Sequence, residues 1–245
     1  MRSITYSAYD RLIKGLRSIG TISPADEDIV RRLPLRLQSV GAHQDVVHEG
    51  DRPTECCVIL EGFVCRHKAV AGGQRQILSF HLPGDLPDLQ SLHLEVVDFS
   101  LGSLTASQVA FIPHSALREG VRASPTFADL LWRSTMIDAA IFRAWLASVG
   151  RRNAYQRVAH LFCEVFVRMK SLGLAEEMGF MLPITQVELG DALGLSAVHV
   201  NRTLQQLRQD GVIVSRGRYN GFTDWERLKK AGDFDPSYLF TRPFA

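Results

Sequence analysis

Residues 185–211 read TQVELGDALGLSAVHVNRTLQQLRQDG, a spacing that suits two short helices joined by a tight turn. The first covers 186–193 and sets Val187, Leu189 and Leu193 where they can face inward. Gly194 permits the left-handed backbone of the turn, and Leu195 plugs the corner. Ser196 then suits the N-cap of a second helix, on which Val200, Thr203, Leu204 and Leu207 recur at helical spacing. Gly190, lacking a side chain, lets the two helices approach. The outward positions at the start of the second helix are Ala197, Val198, His199, Asn201 and Arg202. A helix presented in this way reads base edges through its N-terminal residues: Arg pairs with guanine, Asn with adenine, and Val198 can meet a thymine methyl.

An ordinary helical hairpin would share the glycine turn. The combination of loop length, cap, inward apolar positions and polar outer face favours a helix-turn-helix, and the adjoining C-terminal segment strengthens the case. In Asp210-Gly211-Val212-Ile213-Val214-Ser215-Arg216-Gly217-Arg218-Tyr219-Asn220-Gly221-Phe222, short β-favouring runs flank Arg216-Gly217 and predict a hairpin, or wing. The DNA-binding set predicted for this winged helix is Thr185, Gln186, Ser196, Ala197, Val198, His199, Asn201, Arg202 and Gln205, with double-stranded DNA as partner.

The chain has 245 residues, enough for two compact domains, with 46% hydrophobic and 22% charged residues, as in ordinary globular proteins. No apolar run is long enough to span a bilayer, and MRSITYSAYDRLIKGL lacks the apolar core of a signal peptide, so no membrane partner and a cytoplasmic location are expected. The net charge of +2 is unevenly spread: residues 1–150 carry 15 basic and 16 acidic side chains, residues 151–222 carry 9 and 6. The positive excess lies with the helix-turn-helix, as phosphate contact requires. Cys56, Cys57, Cys65 and Cys163 lack the paired spacing of a zinc site and read as packed free thiols. If Glu61-Gly62 is a two-residue hairpin turn, Val58 pairs with Cys65 and leaves Cys56 and Cys65 as diagonal neighbours, too far apart for a disulfide.

Residues before about 37 look helical or irregular, with Thr21 or Ser23-Pro24 as helix starts. From 38 to about 113, short β-favouring runs alternate with the turns Glu49-Gly50-Asp51, Glu61-Gly62, Gly72-Gly73 and Pro83-Gly84-Asp85, which implies an antiparallel sandwich or roll. A long helix should come next. Phe127, Leu130, Ser134, Ile137, Ile141, Ala144 and Ser148 alternate three and four residues apart, the spacing of a coiled-coil seam, and are the predicted homodimer interface. A second stripe, Leu131, Phe142, Trp145 and Val149, is expected to pack on the roll. Polar residues at Gly150-Arg151-Arg152-Asn153 suggest a hinge before a helix over 154–170. The expected fold is α+β, with a jelly-roll-like antiparallel β-roll and N-terminal helices over 1–123. A dimerisation helix and hinge occupy 124–150, and a C-terminal winged helix-turn-helix domain with an extension occupies 151–245.

That order resembles the CRP/FNR family of bacterial transcription regulators, over about 37–222. His48-Glu49-Gly50-Asp51, Val58-Ile59-Leu60-Glu61-Gly62 and Leu82-Pro83-Gly84-Asp85 look like the family's strand-and-glycine framework, while Leu193-Gly194-Leu195-Ser196 with Val200, Arg202 and Leu204 looks like its recognition-helix signature. The resemblance implies a sequence-specific regulator that binds a two-fold related promoter site as a homodimer, with RNA polymerase as a further partner. It puts Arg202 at the family's base-contacting Arg, and Val198 where many members carry a Glu that reads cytosine.

The sensor half departs from the cyclic-nucleotide pattern of a Gly-Glu-Leu stretch and an Arg-Ser pair. Here the corresponding run is Leu86-Pro87-Asp88-Leu89-Gln90, and Glu95-Val96-Val97-Asp98-Phe99-Ser100 holds no Arg. A buried phosphate without a cationic partner is costly, so no cyclic nucleotide is expected. With no cysteine before Cys56, no N-terminal iron–sulfur cluster is expected either. The histidines, His43, His48, His67, His81 and His93 among them, have no spacing that selects haem ligands. The His-x-His pair of a cupin-like metal enzyme is absent. Neither metal, cofactor nor catalytic residue is predicted.

Overall fold

The structure is a computed structural model and describes residues 2–70 and 72–241, with side chains from Ser7 onward. Helices α1 (Arg2–Ile19) and α2 (Pro24–Arg32) precede strands β1 (Arg36–Val40), β2 (Asp45–Val47), β3 (Glu55–Glu61), β4 (Val64–Ala69), β5 (Arg75–His81), β6 (Ser100–Ser103) and β7 (Ser107–Pro113). Then come α3 (His114–Ala123), α4 (Pro125–Arg151), α5 (Ala154–Ser171), β8 (Gly179–Met181), α6 (Gln186–Leu193), α7 (Ala197–Gln209), β9 (Val214–Arg216), β10 (Tyr219–Gly221) and α8 (Trp225–Gly232). The chain divides into two compact units, Met1–Lys68 with Phe80–Asp138 and Ala69–Ser79 with Ala139–Ala245. This differs from the expected boundaries after 123 and 150, because α4 runs unbroken from Pro125 to Arg151 and the division falls within it.

In the first unit, Ser23 caps α2 by accepting from the Asp26 amide at 3.1 Å, and Pro24 supplies the pre-set first turn. The Asp26 carboxylate also accepts from the hydroxyls of Ser124 and Thr126, which ties α2 to the start of α4. Two antiparallel sheets form the roll, in the orders β1-β7-β3 and β2-β6-β4-β5. Val58 therefore lies opposite Ala110 and Cys65 opposite Gly102, not opposite each other. The Glu61-Gly62 segment, with Gly62 at φ 93°, carries the chain from one sheet to the other instead of closing a hairpin. Cys56 lies opposite Ile112 in the first sheet, so Cys56 and Cys65 are not neighbours within one sheet. The core joins Leu12, Ile13 and Leu16 of α1 to Val58, Leu60 and Ile112 of the roll and to Phe127, Leu130 and Leu131 of α4. Gly15 meets Gly84 backbone to backbone. A Cβ on Gly84, whose φ is 101°, would come within 2.8 Å of the Arg11 carbonyl oxygen.

The predicted dimer-seam positions of α4 are largely covered by the chain's own residues. Phe127, Leu130, Ile137, Ile141 and Ser148 are buried within the single chain, and Ser134 and Ala144 are half-buried. Of the second stripe, Leu131 is buried with the roll core as expected, whereas Trp145 is buried against Glu164 of α5 instead of the roll and Val149 is 37% exposed. What the chain leaves open is a third set: Trp132 is 65% exposed, Met136 45% and Leu146 76%, with Arg143 also outward. These too alternate by fours and threes through Ala139, and spacing alone does not say which stripe the chain's own core takes.

The first unit also buries polar groups. Arg66 donates to the Pro87 carbonyl and pairs with Asp138, and its guanidinium lies 4.9 Å from the Phe99 ring centroid. Asp88 accepts from the Cys57 amide at 2.7 Å through Oδ1, while Oδ2 has no partner among the described residues. Burial pushes the Asp88 carboxyl up to about 7, against the lowering effects of the Cys57 amide and Arg66. The folded state thus holds this proton more tightly than the unfolded chain. Its contribution to stability is full at low pH and declines as pH rises from about 4 through the folded value. Asp88→Asn, which keeps an acceptor for the Cys57 amide, should flatten that stretch of the stability–pH curve, read by urea unfolding at intervals from pH 4 to 8.

Candidate nucleic-acid interface

The second unit gathers its core around α5. Phe166 packs edge-on against Phe222 at 4.8 Å and at a tilt against Trp225 at 5.2 Å, and Phe162 meets Phe180 at 5.9 Å. Against this core, α6 begins with a reciprocal cap: Thr185 Oγ1 accepts from the Glu188 amide at 3.2 Å, and the Glu188 carboxylate accepts from the Thr185 amide at 2.6 Å. Gly194 ends α6 at φ 65°. A side chain on Gly190 would collide with the Leu195 carbonyl oxygen, which explains the glycine there. Ser196 caps α7 by accepting from the His199 amide at 3.2 Å, and Val200, Thr203, Leu204 and Leu207 are buried.

With that face buried, the other side of α7 meets solvent. Val198 is 72% exposed, and His199, Arg202 and Gln205 are exposed with it, while Ser196 is exposed at the N-cap and Ala197 is half-buried. Arg202 has no ion pair among the described residues. Thr185 and Gln186 stand at the start of α6, and Asn201 donates its amide to Gln186 Oε1 at 3.1 Å, so these two present one polar surface across the helix pair. Val187 is 58% exposed and does not face inward. It sits about 200° around the helix from Leu189, so a helix packed on one side buries only one of the two.

The wing forms as expected, with Arg216 opposite Tyr219 and Gly217 at φ 62° in the turn. Strand β8 joins it through Phe180 opposite Asn220. Arg216 and Arg218 are exposed at the tip and extend the cationic surface. Sequence reasoning placed them in the wing without counting them among the contacts, although paired arginines around a turn glycine were the available signal. All four cysteines are buried and outside any disulfide, and burial holds the Cys56, Cys57 and Cys163 thiols well above their ordinary range, away from thiolate chemistry. Among the described residues no group of three or more His, Cys, Asp or Glu side chains could hold a metal ion. No helix of the described residues is long and apolar enough to cross a membrane.

Two family models match this arrangement: a Crp-like helix-turn-helix domain over residues 156–231 and a cyclic nucleotide-binding domain over residues 37–124. Among curated proteins, the transcriptional activator protein FnrL of Cereibacter sphaeroides is 28% identical over 201 residues, covering 80% of each chain. The transcriptional activator protein FnrA of Stutzerimonas stutzeri is 24% identical over 199 residues, covering 76% of this chain and 81% of its own. The solved structure of FixK2 from Bradyrhizobium japonicum superimposes with a TM-score of 0.71 at 25% identity, covering 81% of this chain and 98% of that one. The fold and its exposed helix are those of a DNA-binding transcription regulator. The chain belongs to the CRP/FNR family.

Replacing the unpaired, solvent-facing guanidinium should weaken specific binding and blur base preference. Arg202→Ala is expected to cost about 1–3 kcal/mol on the selected site with little change on unrelated duplex, measured by titration at fixed salt.

Proposed function

We propose that the chain works as a homodimer that reads a two-fold related promoter site, with one α7 in each of two successive major grooves about 34 Å apart. The observation that carries this reading is the division of α7 into a buried apolar face and an open face of Val198, His199, Arg202 and Gln205. Arg202 and Asn201 read base edges, Val198 takes an apolar contact, and Thr185, Gln186, Ser196 and Ala197 approach phosphates beside the N-termini of α6 and α7. Arg216 and Arg218 add phosphate contacts from the wing. Binding-site selection with purified protein tests the reading: it should return a palindrome whose affinity falls steeply with salt. Absence of any preference over competitor DNA would refute it.

The dimer seam we assign to the open stripe of α4, Trp132, Met136, Ala139, Arg143 and Leu146, in place of the buried positions. Three exposed apolar residues on this row, Trp132, Met136 and Leu146, stand at heptad spacing with the half-buried Ala139 between them and suit a second copy of the same helix. RNA polymerase is the further partner, the cytoplasm the location, and the role regulatory, not enzymatic. The sensor half works without an ordinary cyclic-nucleotide contact. Supporting this, its buried cation Arg66 is held by Pro87 and Asp138, and Leu86, Asp88 and Leu89 are packed in the interior.

Three variants separate the parts of this reading. Leu146→Glu should shift the protein to monomers in sedimentation, whereas a core substitution such as Leu130→Glu should unfold it. Val198→Glu should move the preferred base at one position of each half-site to cytosine in a repeated selection.

A further inference from the structure

The α4–α5 junction, which the polar run Gly150-Arg151-Arg152-Asn153 suggests is a hinge, is clamped twice. Arg157 of α5 spreads its guanidinium over three main-chain carbonyls: Nη2 donates to Val149 at 2.7 Å, Nε to Arg152 at 2.8 Å and Nη1 to Leu193 at 2.9 Å. Val149 lies in the last turn of α4, and Leu193 ends α6 beside Gly194, the turn of the helix-turn-helix. One cation therefore ties the end of α4, the connecting loop and the turn that aims α7. It does so at two helix C-termini, where positive charge is favoured.

The second clamp is a buried carboxylate. Glu164 of α5 accepts from Trp145 Nε1 of α4 at 3.1 and 3.0 Å and from the Tyr238 hydroxyl at 2.8 Å, and Arg168 lies 3.7 Å away. Tyr238 belongs to the segment after α8, beyond the residues the helix-turn-helix family model covers. Its hydroxyl is 3.1 Å from His160 Nε2, and His160 Nδ1 donates to the Gly232 carbonyl at 3.0 Å. Burial holds His160 down to about 4, so the ring is neutral and its single N–H is the one given to Gly232. Arg152 in turn donates to the Asp233 carbonyl at 3.0 Å.

We propose that Arg157 and Glu164, with Tyr238 as a brace, are positioning residues that fix the recognition helix against the end of α4 and thereby set the half-site spacing the dimer accepts. The proposal rests on the homodimer reading above. None of these residues lies on the open face of α7. Their effect is on where α7 points, because the carbonyl that Arg157 holds precedes the glycine from which α7 departs.

The test uses the full-length protein and three kinds of duplex: the selected two-fold site, the same site with one or two base pairs added or removed between half-sites, and a single half-site. Wild type should lose about a hundredfold in affinity when the spacing changes, since engagement of the second half-site depends on geometry. Arg157→Lys, which keeps the charge without the fork, and Glu164→Gln should keep half-site affinity within about twofold and cut the spacing penalty below about tenfold. Should Glu164→Gln fail to fold, Tyr238→Phe removes one hydroxyl and carries the same expectation. Variants with the wild-type spacing penalty would overturn the proposal, as would variants that lose half-site and two-fold binding in parallel. If wild type binds the two-fold site no better than the half-site, the homodimer reading itself falls and takes this proposal with it.

Discussion

Burial of one side of α7 is the constraint on which the recognition surface depends. Val200, Thr203, Leu204 and Leu207 can leave water together only if the helix rolls that face inward, and the roll fixes which residues remain outside. Burying an aliphatic side chain of this size is worth about 1.5–3 kcal/mol, far more than any single surface contact, so the apolar residues decide the orientation and the polar ones inherit it. The approach of α6 depends on the same packing: Gly190 is tolerated in a helix interior, at some cost in propensity, because the Leu195 carbonyl occupies the space a side chain would need.

Interaction with DNA then depends on how α7 is carried. Within the second unit, the end of α4 meets α5 through hydrogen bonds to groups that are half or fully buried, among them the Arg157 fork and the Glu164 carboxylate. Charged groups in such places are costly unless every polar atom finds a partner, and here those partners belong to different helices. Geometry of this kind is more specific than apolar packing, because a donor displaced by an ångström loses its bond whereas a leucine merely shifts its contacts. The first unit uses the same device around Arg66, whose guanidinium is shared by Pro87 and Asp138 beside the Phe99 ring.

The helix-turn-helix was legible in the sequence because everything that specifies it is local. Gly194 and Ser196 with the His199 amide act within a few residues and did what their types and spacing imply, and the reciprocal cap of Thr185 with Glu188 is equally local. The strands were legible for the same reason, but their partners were not. Placing Val58 beside Cys65 relies on proximity along the chain, whereas the strands join separate sheets through β7 and β6, whose paired residues lie 52 and 37 positions further on. Val187 shows a smaller version of the limit, since its apolar character says nothing about which face of α6 the core accepts.

The sequence by itself determined the order of elements, the winged helix and the outward placement of Val198, His199 and Arg202, because backbone preferences and helical periodicity suffice for these. Only the tertiary structure decided which stripe of α4 is left for a partner, and which distant carbonyls and side chains meet at Arg157, Glu164 and Arg66. The reason is physical. Periodicity gives the angle between residues on one helix but not the rotation of that helix in the fold, which is set by summed contacts with segments far away in the chain.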